Sequence, residues 1–481
     1  MSCPSARPYS AHSAALLLVL LAVLPANALD LPSETDRLVA TGRLWITVKY
    51  FHPYLASRDL DWDQALVEAL PKIRSAGTVA EYEAAVHSLL GGLDYSAPAA
   101  TGTGERIWVH YGLAPETGEP SSHFYSAFLY KPGTTPENVS VPMGGFNVNV
   151  RVSELASGAG IPTPRPERIY NDPYPATELR ILAAYKIWGV FHYFFAYRDL
   201  MDEDWDPLLK QFLPRVIAAK DAQEYNLAIA DWLTHTTDSF VTMQSDVISH
   251  YFGEAPVGLR LRIVERHVTV TEVLDPAAVQ AGVKVGDVVK TVSGQTLVDR
   301  YQQLSQYTSA STLQRQGIDI TNRILSGPDD SAAALTIEDN AGNRKEVTLR
   351  RSKSFLSPLS HEPSGEALKV LRGGVGYADL RRLKRSDVDA MFEKFQHAPA
   401  IIFDLRGVPA DDSFKAIAAR LTSEPDVAAA IVTGPIVATP DLPQGDTASR
   451  SSSYFFVRMI ENSQQWKYLG KTVMLEDERT F

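Results

Sequence analysis

Apolar residues recur at helical spacing twice in the N-terminal half, as Leu44, Val48 and Phe51 and as Ile187, Phe191 and Phe194. That period predicts an amphipathic helix at each place. The two segments are copies. Trp45 and Trp188 stand 143 positions apart, and the same offset pairs Tyr50 with Tyr193, Phe51 with Phe194 and Tyr54 with Tyr197. It continues through Asp61 and Asp204, Trp62 and Trp205, Pro71 and Pro214, and Tyr82 and Tyr225. A fixed offset held this long implies two copies of one helical unit, neither able to bury its apolar stripe alone. Asp61-Trp62-Asp63 and Asp204-Trp205-Asp206 mark where a second helix begins in each copy, with acids near its positive end. The aromatics are read as helix-packing residues in preference to a substrate-lining surface.

Between the copies the period changes. Ile107 to Tyr111 and Phe124 to Tyr130 have the composition of strands separated by Gly, Pro and Ser turns, and Met143 to Val152 adds a strand or two;. The first helical unit is placed at 29–99, this β-rich insertion at 100–172 and the second helical unit at 173–250. Asn138-Val139-Ser140 matches a glycosylation acceptor, a pattern that occurs by chance.

From 251 to 352 the chain reads as one β-rich unit. Val257-Gly258-Leu259-Arg260-Leu261 is a Gly loop feeding a strand, and His267 to Thr271 alternates. Asp275-Pro276-Ala277-Ala278, Ala281-Gly282, Gly286-Asp287-Val288 and Ser293-Gly294 follow in order. This series resembles a PDZ domain, with a short helix starting at Pro276. The resemblance implies strand addition: an extended peptide pairs with an open sheet edge, and amides of the Gly loop hold its carboxylate. Gly258, Leu259, Arg260 and Leu261 are the candidate peptide-binding residues. A groove filled by the protein's own chain is the alternative.

Composition then narrows the partners. With 481 residues, 45% hydrophobic and 21% charged, there is material for several cores;. A formal net charge of −11 argues against a nucleic-acid partner;. Residues 1–28 have the form of a signal peptide: Arg7, an apolar run from Ala14 to Leu24, and Ala26-Asn27-Ala28 as the cleavage site;. The run is too short to span a bilayer, so the expectation is an exported, periplasmic or secreted protein with no integral membrane segment once the leader is removed. The single cysteine, Cys3, lies in that leader, which excludes disulfides and a thiol nucleophile from the mature chain;. No histidine cluster has metal-ligand spacing, so no metal or cofactor is expected.

Residues 353–481 carry the chemistry. Gly373 to Leu380 leads into a strand, Ser386 to Gln396 has one apolar face, and Ala400-Ile401-Ile402-Phe403 runs into Asp404-Leu405-Arg406-Gly407;. A further apolar strand, Thr472 to Leu475, precedes Glu476 to Phe481. The order of helical units, PDZ-like unit and this core resembles the C-terminal processing (tail-specific) serine peptidases. The implied fold is multidomain α+β: duplicated helical units with a β insertion, a PDZ-like domain, and a partial crotonase-like, ClpP-like α/β core.

The resemblance implies that the turn after Asp404 supplies oxyanion donors and that the strand ending at Leu475 leads to the nucleophilic Ser. Here Ala410 and Asp411 stand where the family has a Gly pair, and the Ser is expected just after Phe481, outside these residues. Asp404, Arg406 and Gly407 are assigned to holding the turn. Ser449 to Ser453 are read as a solvated loop. The expectation is an exported serine endopeptidase cleaving peptide bonds near substrate C-termini, inactive here because the chain stops short, and needing no cofactor. A non-catalytic peptide-binding protein of the same architecture is the rival. An enzyme acting on acyl thioesters is a weaker one.

Overall fold

The computed structural model describes residues 30–52, 60–93, 106–110, 126–130, 138–151, 170–195, 197–357, 365–424, 427–436 and 452–480. The proposed leader lies outside them. Helices and several sheets build three hydrophobic cores. Among the described residues no helix is long and apolar enough to cross a membrane.

The first core is the duplication. Copy one is α1 (Glu34–Phe51), α2 (Trp62–Ser75) and α3 (Val79–Leu90), and copy two is α4 (Thr177–Phe194), α5 (Leu208–Ala218) and α6 (Ala222–Thr234). Equivalent residues make equivalent caps. Thr78 Oγ1 accepts from Glu81 N at 3.1 Å while the Glu81 carboxylate accepts from Gly77 N at 2.7 Å. Asp221 and Glu224 repeat this at 2.8 Å and 3.0 Å at the start of α6;.

The copies meet through α1 and α4 with pseudo-two-fold symmetry. Gly42 abuts Tyr185, and Gly189 abuts Ile46, each residue facing the repeat equivalent of itself. Tyr50 packs edge-on against Phe194 at 4.8 Å, and Phe51 against Tyr193 at 5.2 Å, a reciprocal pair of ring contacts;. Trp45, Trp188, Tyr50 and Tyr193 are buried, which makes these aromatics packing residues.

One element starts later than the pattern suggests. Copy one begins α2 at Trp62, with Asp61 accepting from Gln64 N at 2.9 Å. In copy two Asp204 accepts from Asp206 N, Asp206 turns to His192 at 2.5 Å and Arg198 at 2.8 Å, and α5 begins only at Leu208. The side-chain bonds of Asp204 and Asp206 compete with the first helical turn.

Between the copies β1 (Arg106–His110) pairs with β2 (Ser126–Tyr130), and β3 (Asn138–Pro142) with β4 (Asn147–Arg151). The β3–β4 hairpin alternates, burying Val139, Val141, Val148 and Val150 while the Asn138 and Ser140 face stays exposed;.

Helix α7 (Asp246–Phe252) leads into the second core. Its sheet has the order β10-β9-β7-β6-β5, with β5 (Leu259–Val264), β6 (His267–Val273), β7 (Val288–Val292), β9 (Ala332–Glu338) and β10 (Arg344–Arg350), and with β8 (Gln295–Thr296) on β7. Helix α8 (Pro276–Gln280) starts at Pro276 under an Asp275 cap. Helices α9 (Leu297–Ser305) and α10 (Leu313–Thr321) follow, and α10 packs against β5.

The third core is a sheet of order β11-β12-β13-β16: β11 (Leu368–Val370), β12 (Gly376–Asp379), β13 (Ala400–Asp404) and β16 (Lys471–Leu475). Strands β12, β13 and β16 are parallel, so their carboxyl ends share one edge. Helices α11 (Val388–Lys394) and α12 (Ser413–Leu421) follow β12 and β13. Strands β14 (Ala428–Ile436) and β15 (Ser452–Met459) form a separate hairpin. Ser452 and Ser453, expected in a loop, open β15 opposite Ile436 and Pro435; Ser449 to Ser451 lie outside the described residues.

Candidate functional site

Two places gather the residues singled out from the sequence. The first is the carboxyl edge of the parallel strands. Each strand there ends in the same local device. Arg381 N and Nε donate to Asp379 Oδ1 at 3.1 and 2.9 Å, and Nη2 to Oδ2 at 2.8 Å. Arg406 repeats it on Asp404 at 3.0, 2.9 and 2.7 Å. Arg479 repeats it on Asp477 through its amide at 2.9 Å and its guanidinium. An Asp followed two residues later by Arg folds the guanidinium back as a bidentate fork across the strand end. The tripeptide was visible in all three segments, but only that of Asp404 and Arg406 was singled out.

Electrostatics fix these forks in their ionised form. Burial works to raise the Asp404 carboxyl, and the Arg406 guanidinium, the Tyr377 hydroxyl at 2.5 Å and the Arg406 amide outweigh it, holding it well below the usual carboxylate range;. Asp379 behaves alike: burial opposes, and Arg381 and Arg382 win. Asp477 is also lowered, by Arg479 and Arg406 against burial.

The turns lace to one another. Leu380 N donates to Asp404 O at 3.1 Å, Leu405 N to Leu475 O at 2.9 Å, and Thr480 Oγ1 to Leu405 O at 2.9 Å. Gly407 has φ +117, and a Cβ there would meet Arg381 Cδ at 2.8 Å, so the β12 fork and the β13 turn fit only around glycine;. Ala410 donates its amide to Leu380 O at 3.0 Å and is committed inside the fold. The Asp411 carboxylate accepts from Arg385 N and Ser413 N, each at 2.8 Å, and so organises the start of α12. Among the described residues no acceptor is recorded for the amides of Gly407, Val408 and Asp411, which leaves these three as the open donors of this turn. Ser413, which follows the turn, has its hydroxyl buried with no partner among the described residues, a poor placement for a nucleophile that needs a base;.

The second place is the edge of the second core's sheet. Gly258 precedes β5, and its carbonyl accepts from Leu274 N at 2.8 Å and Asp275 N at 3.1 Å. Leu259 N turns back to Val257 O at 2.8 Å. Leu259 and Leu261 point into the core, and Arg260 is tied to Glu272 at 2.7 Å. Strand β5 is the last strand of its sheet, and a Cβ on Gly317 of α10 would touch Ile263 Cδ1 at 3.0 Å. Ile263, Val264 and Leu313 are exposed apolar residues on these two elements. An open edge beside a helix is the geometry that strand addition requires. Among the described residues no group of His, Cys, Asp and Glu is placed to hold a metal ion.

No family model matches the sequence, and no curated protein does. Solved structures are similar at low identity. Mature CPAF complexed with lactacystin is 10% identical with a TM-score of 0.44, over 62% of this chain and 79% of that one. The photosystem II D1 C-terminal processing protease is 15% identical with a TM-score of 0.32, over 63% and 74%. The PDZ domain of a carboxy-terminal protease from Vibrio cholerae, solved with a peptide, is 17% identical with a TM-score of 0.15, over 20% and 93%.

Proposed function

We propose that the chain is an exported peptide-binding protein of the tail-specific peptidase type, which captures the C-terminal ends of polypeptides on β5. The observation that carries this is the Gly258 loop opening directly onto an edge strand with α10 beside it. The peptide would add antiparallel or parallel to β5 through main-chain bonds, with Ile263 and Leu313 offering apolar contacts. The strand-end turn would present the Gly407, Val408 and Asp411 amides to a carbonyl oxygen, the donor half of an acyl-transfer site. Ser413 Oγ, the hydroxyl that follows this turn, is buried with no partner among the described residues, so residues 29–481 are proposed to bind and not to hydrolyse;.

The test combines binding and turnover on purified residues 29–481. A short peptide with a free apolar C-terminus should bind more tightly than its C-terminal amide, and an unstructured protein substrate should remain intact. Hydrolysis that a serine-directed inhibitor blocks would overturn the non-catalytic part. Equal binding of acid and amide would overturn the peptide-end part.

A further inference from the structure

The loop expected to receive a carboxylate is covered. Pro256, Val257, Gly258 and Leu259 are all buried. Two side chains cover it. A Cβ on Gly258 would meet Asp275 Cβ, in the cap of α8, at 2.7 Å, and Cε1 and Cζ of Phe355, in the short helical turn after β10, at 2.7 and 2.9 Å. The ring therefore rests on the loop backbone. Its segment is pinned just before the ring. Ser352 N donates to Pro256 O at 2.9 Å, Lys353 N to Asp329 Oδ1 at 3.0 Å, and Lys353 Nζ pairs with Glu254 Oε2 at 2.7 Å. Lys353 and Glu254 are both exposed, and exposed pairs are weak and screened by salt;. Phe355 itself is half-buried.

We infer that Phe355 is a displaceable intramolecular cap on the donor loop, and that it sets the affinity for peptide ends: a free carboxylate reaches the Gly258 amide only when the ring swings away. This rests on the proposal that the loop receives peptide carboxylates. In the closed arrangement Leu259 N is bonded to Val257 O within the loop itself. Capture of a peptide end then costs the cap's contacts, and a population of open molecules sets the apparent affinity.

The experiment measures fluorescence anisotropy of a short labelled peptide with an apolar last residue, as free acid and as amide, on residues 29–481. Phe355→Ala should bind the free acid about tenfold more tightly than wild type, equivalent to ~1.4 kcal/mol, with the amide unchanged. Lys353→Ala, which loosens the pin without touching the ring, should shift the free acid in the same direction by about twofold, within the range of an exposed ion pair. Free-acid preference in wild type with unchanged or weaker binding in both variants would overturn the cap and make Phe355 a fixed wall. Equal binding of acid and amide by wild type and both variants would instead overturn the peptide-end reading. Circular dichroism of each variant checks folding, and should Phe355→Ala not fold, Lys353→Ala alone decides: no shift overturns the cap.

Discussion

Arg406→Met tests whether the strand-end forks hold the third core. The substitution keeps most of the side-chain volume and deletes the guanidinium. Asp404 has no exposed side-chain surface, so it would be left as a buried carboxylate without its counter-ion. Removing one partner of a buried ion pair costs ~3–5 kcal/mol. Two facts reduce that here. The Arg406 side chain is 45% exposed, so solvent already screens part of the interaction, and the Tyr377 hydroxyl and the residue 406 amide still donate to the carboxylate. About 2 kcal/mol is the expected loss at neutral pH. Arg381→Met is the internal comparison: Asp379 keeps Arg382 at 2.9 Å, so its loss should be below about 1 kcal/mol;.

The pH dependence carries a sign. Asp404 lies below its ordinary value in the folded protein. Its contribution is therefore complete above the unfolded value of about 3.9 and is lost as pH falls through the folded value. Without the guanidinium less opposes burial, so the gap between wild type and Arg406→Met should narrow as pH falls through the folded value of Asp404 in the variant toward that in wild type. Native-state hydrogen exchange of the β12 and β13 amides reads this core apart from the other two. Opening energies equal in wild type and Arg406→Met, or a gap independent of pH, would refute the role given to the fork.

Other expectations follow from the repeat. Gly42→Ala gains about 1 kcal/mol of helix propensity but puts a methyl 2.6 Å from the buried Tyr185 ring. Overpacking at ~1–3 kcal/mol should dominate, seen as a lower urea midpoint by Trp fluorescence; a raised midpoint would contradict the close α1–α4 crossing. Trp45 Nε1 donates to Trp62 O at 3.1 Å, while its equivalent Trp188 Nε1 is buried with no partner among the described residues. Trp45→Phe should therefore destabilise by about 1 kcal/mol more than Trp188→Phe, and equal losses would contradict the asymmetry. His52 is lowered to about 4 by burial, with Arg151 adding to it. It stays neutral in the folded protein, so stability falls as pH drops from about 6.5 toward 4, and a proton NMR midpoint near the free-histidine value would contradict its buried placement. Cleavage of the leader is expected after Ala28, with mass spectrometry of the exported protein as the check; a mature N-terminus at Met1 would contradict it.

Much of this architecture could be read from local pattern. The offset between Trp45 and Trp188 located α1 and α4, because a buried aromatic stripe repeats at the helical period regardless of partner. The run Ile401 to Phe403 located β13, because an unbroken apolar run ending at a polar turn marks a buried strand; Ile401 and Phe403 are buried and Ile402 is half-buried. The local signals failed where side chains bonded their own backbone: Asp204 and Asp206 delay α5, and Asp411 gives its carboxylate to two amides in place of a glycine's role. Long-range contacts left no local trace. Nothing around Gly258 announces Phe355, and nothing around Ala410 announces that Leu380 takes its amide. Val473 and Met474 leave apolar surface uncovered on β16, at 46% and 47% exposure;.

Peptide capture on β5 is tested most directly by hydrogen exchange on residues 29–481 with and without a saturating peptide bearing a free apolar C-terminus. Added strand pairing protects the outward amides of the edge strand. The account predicts slowed exchange confined to Val257–Val264 and the facing turn of α10, with the same peptide as an amide giving little protection. Protection elsewhere with β5 unchanged, or equal protection by acid and amide, would contradict it.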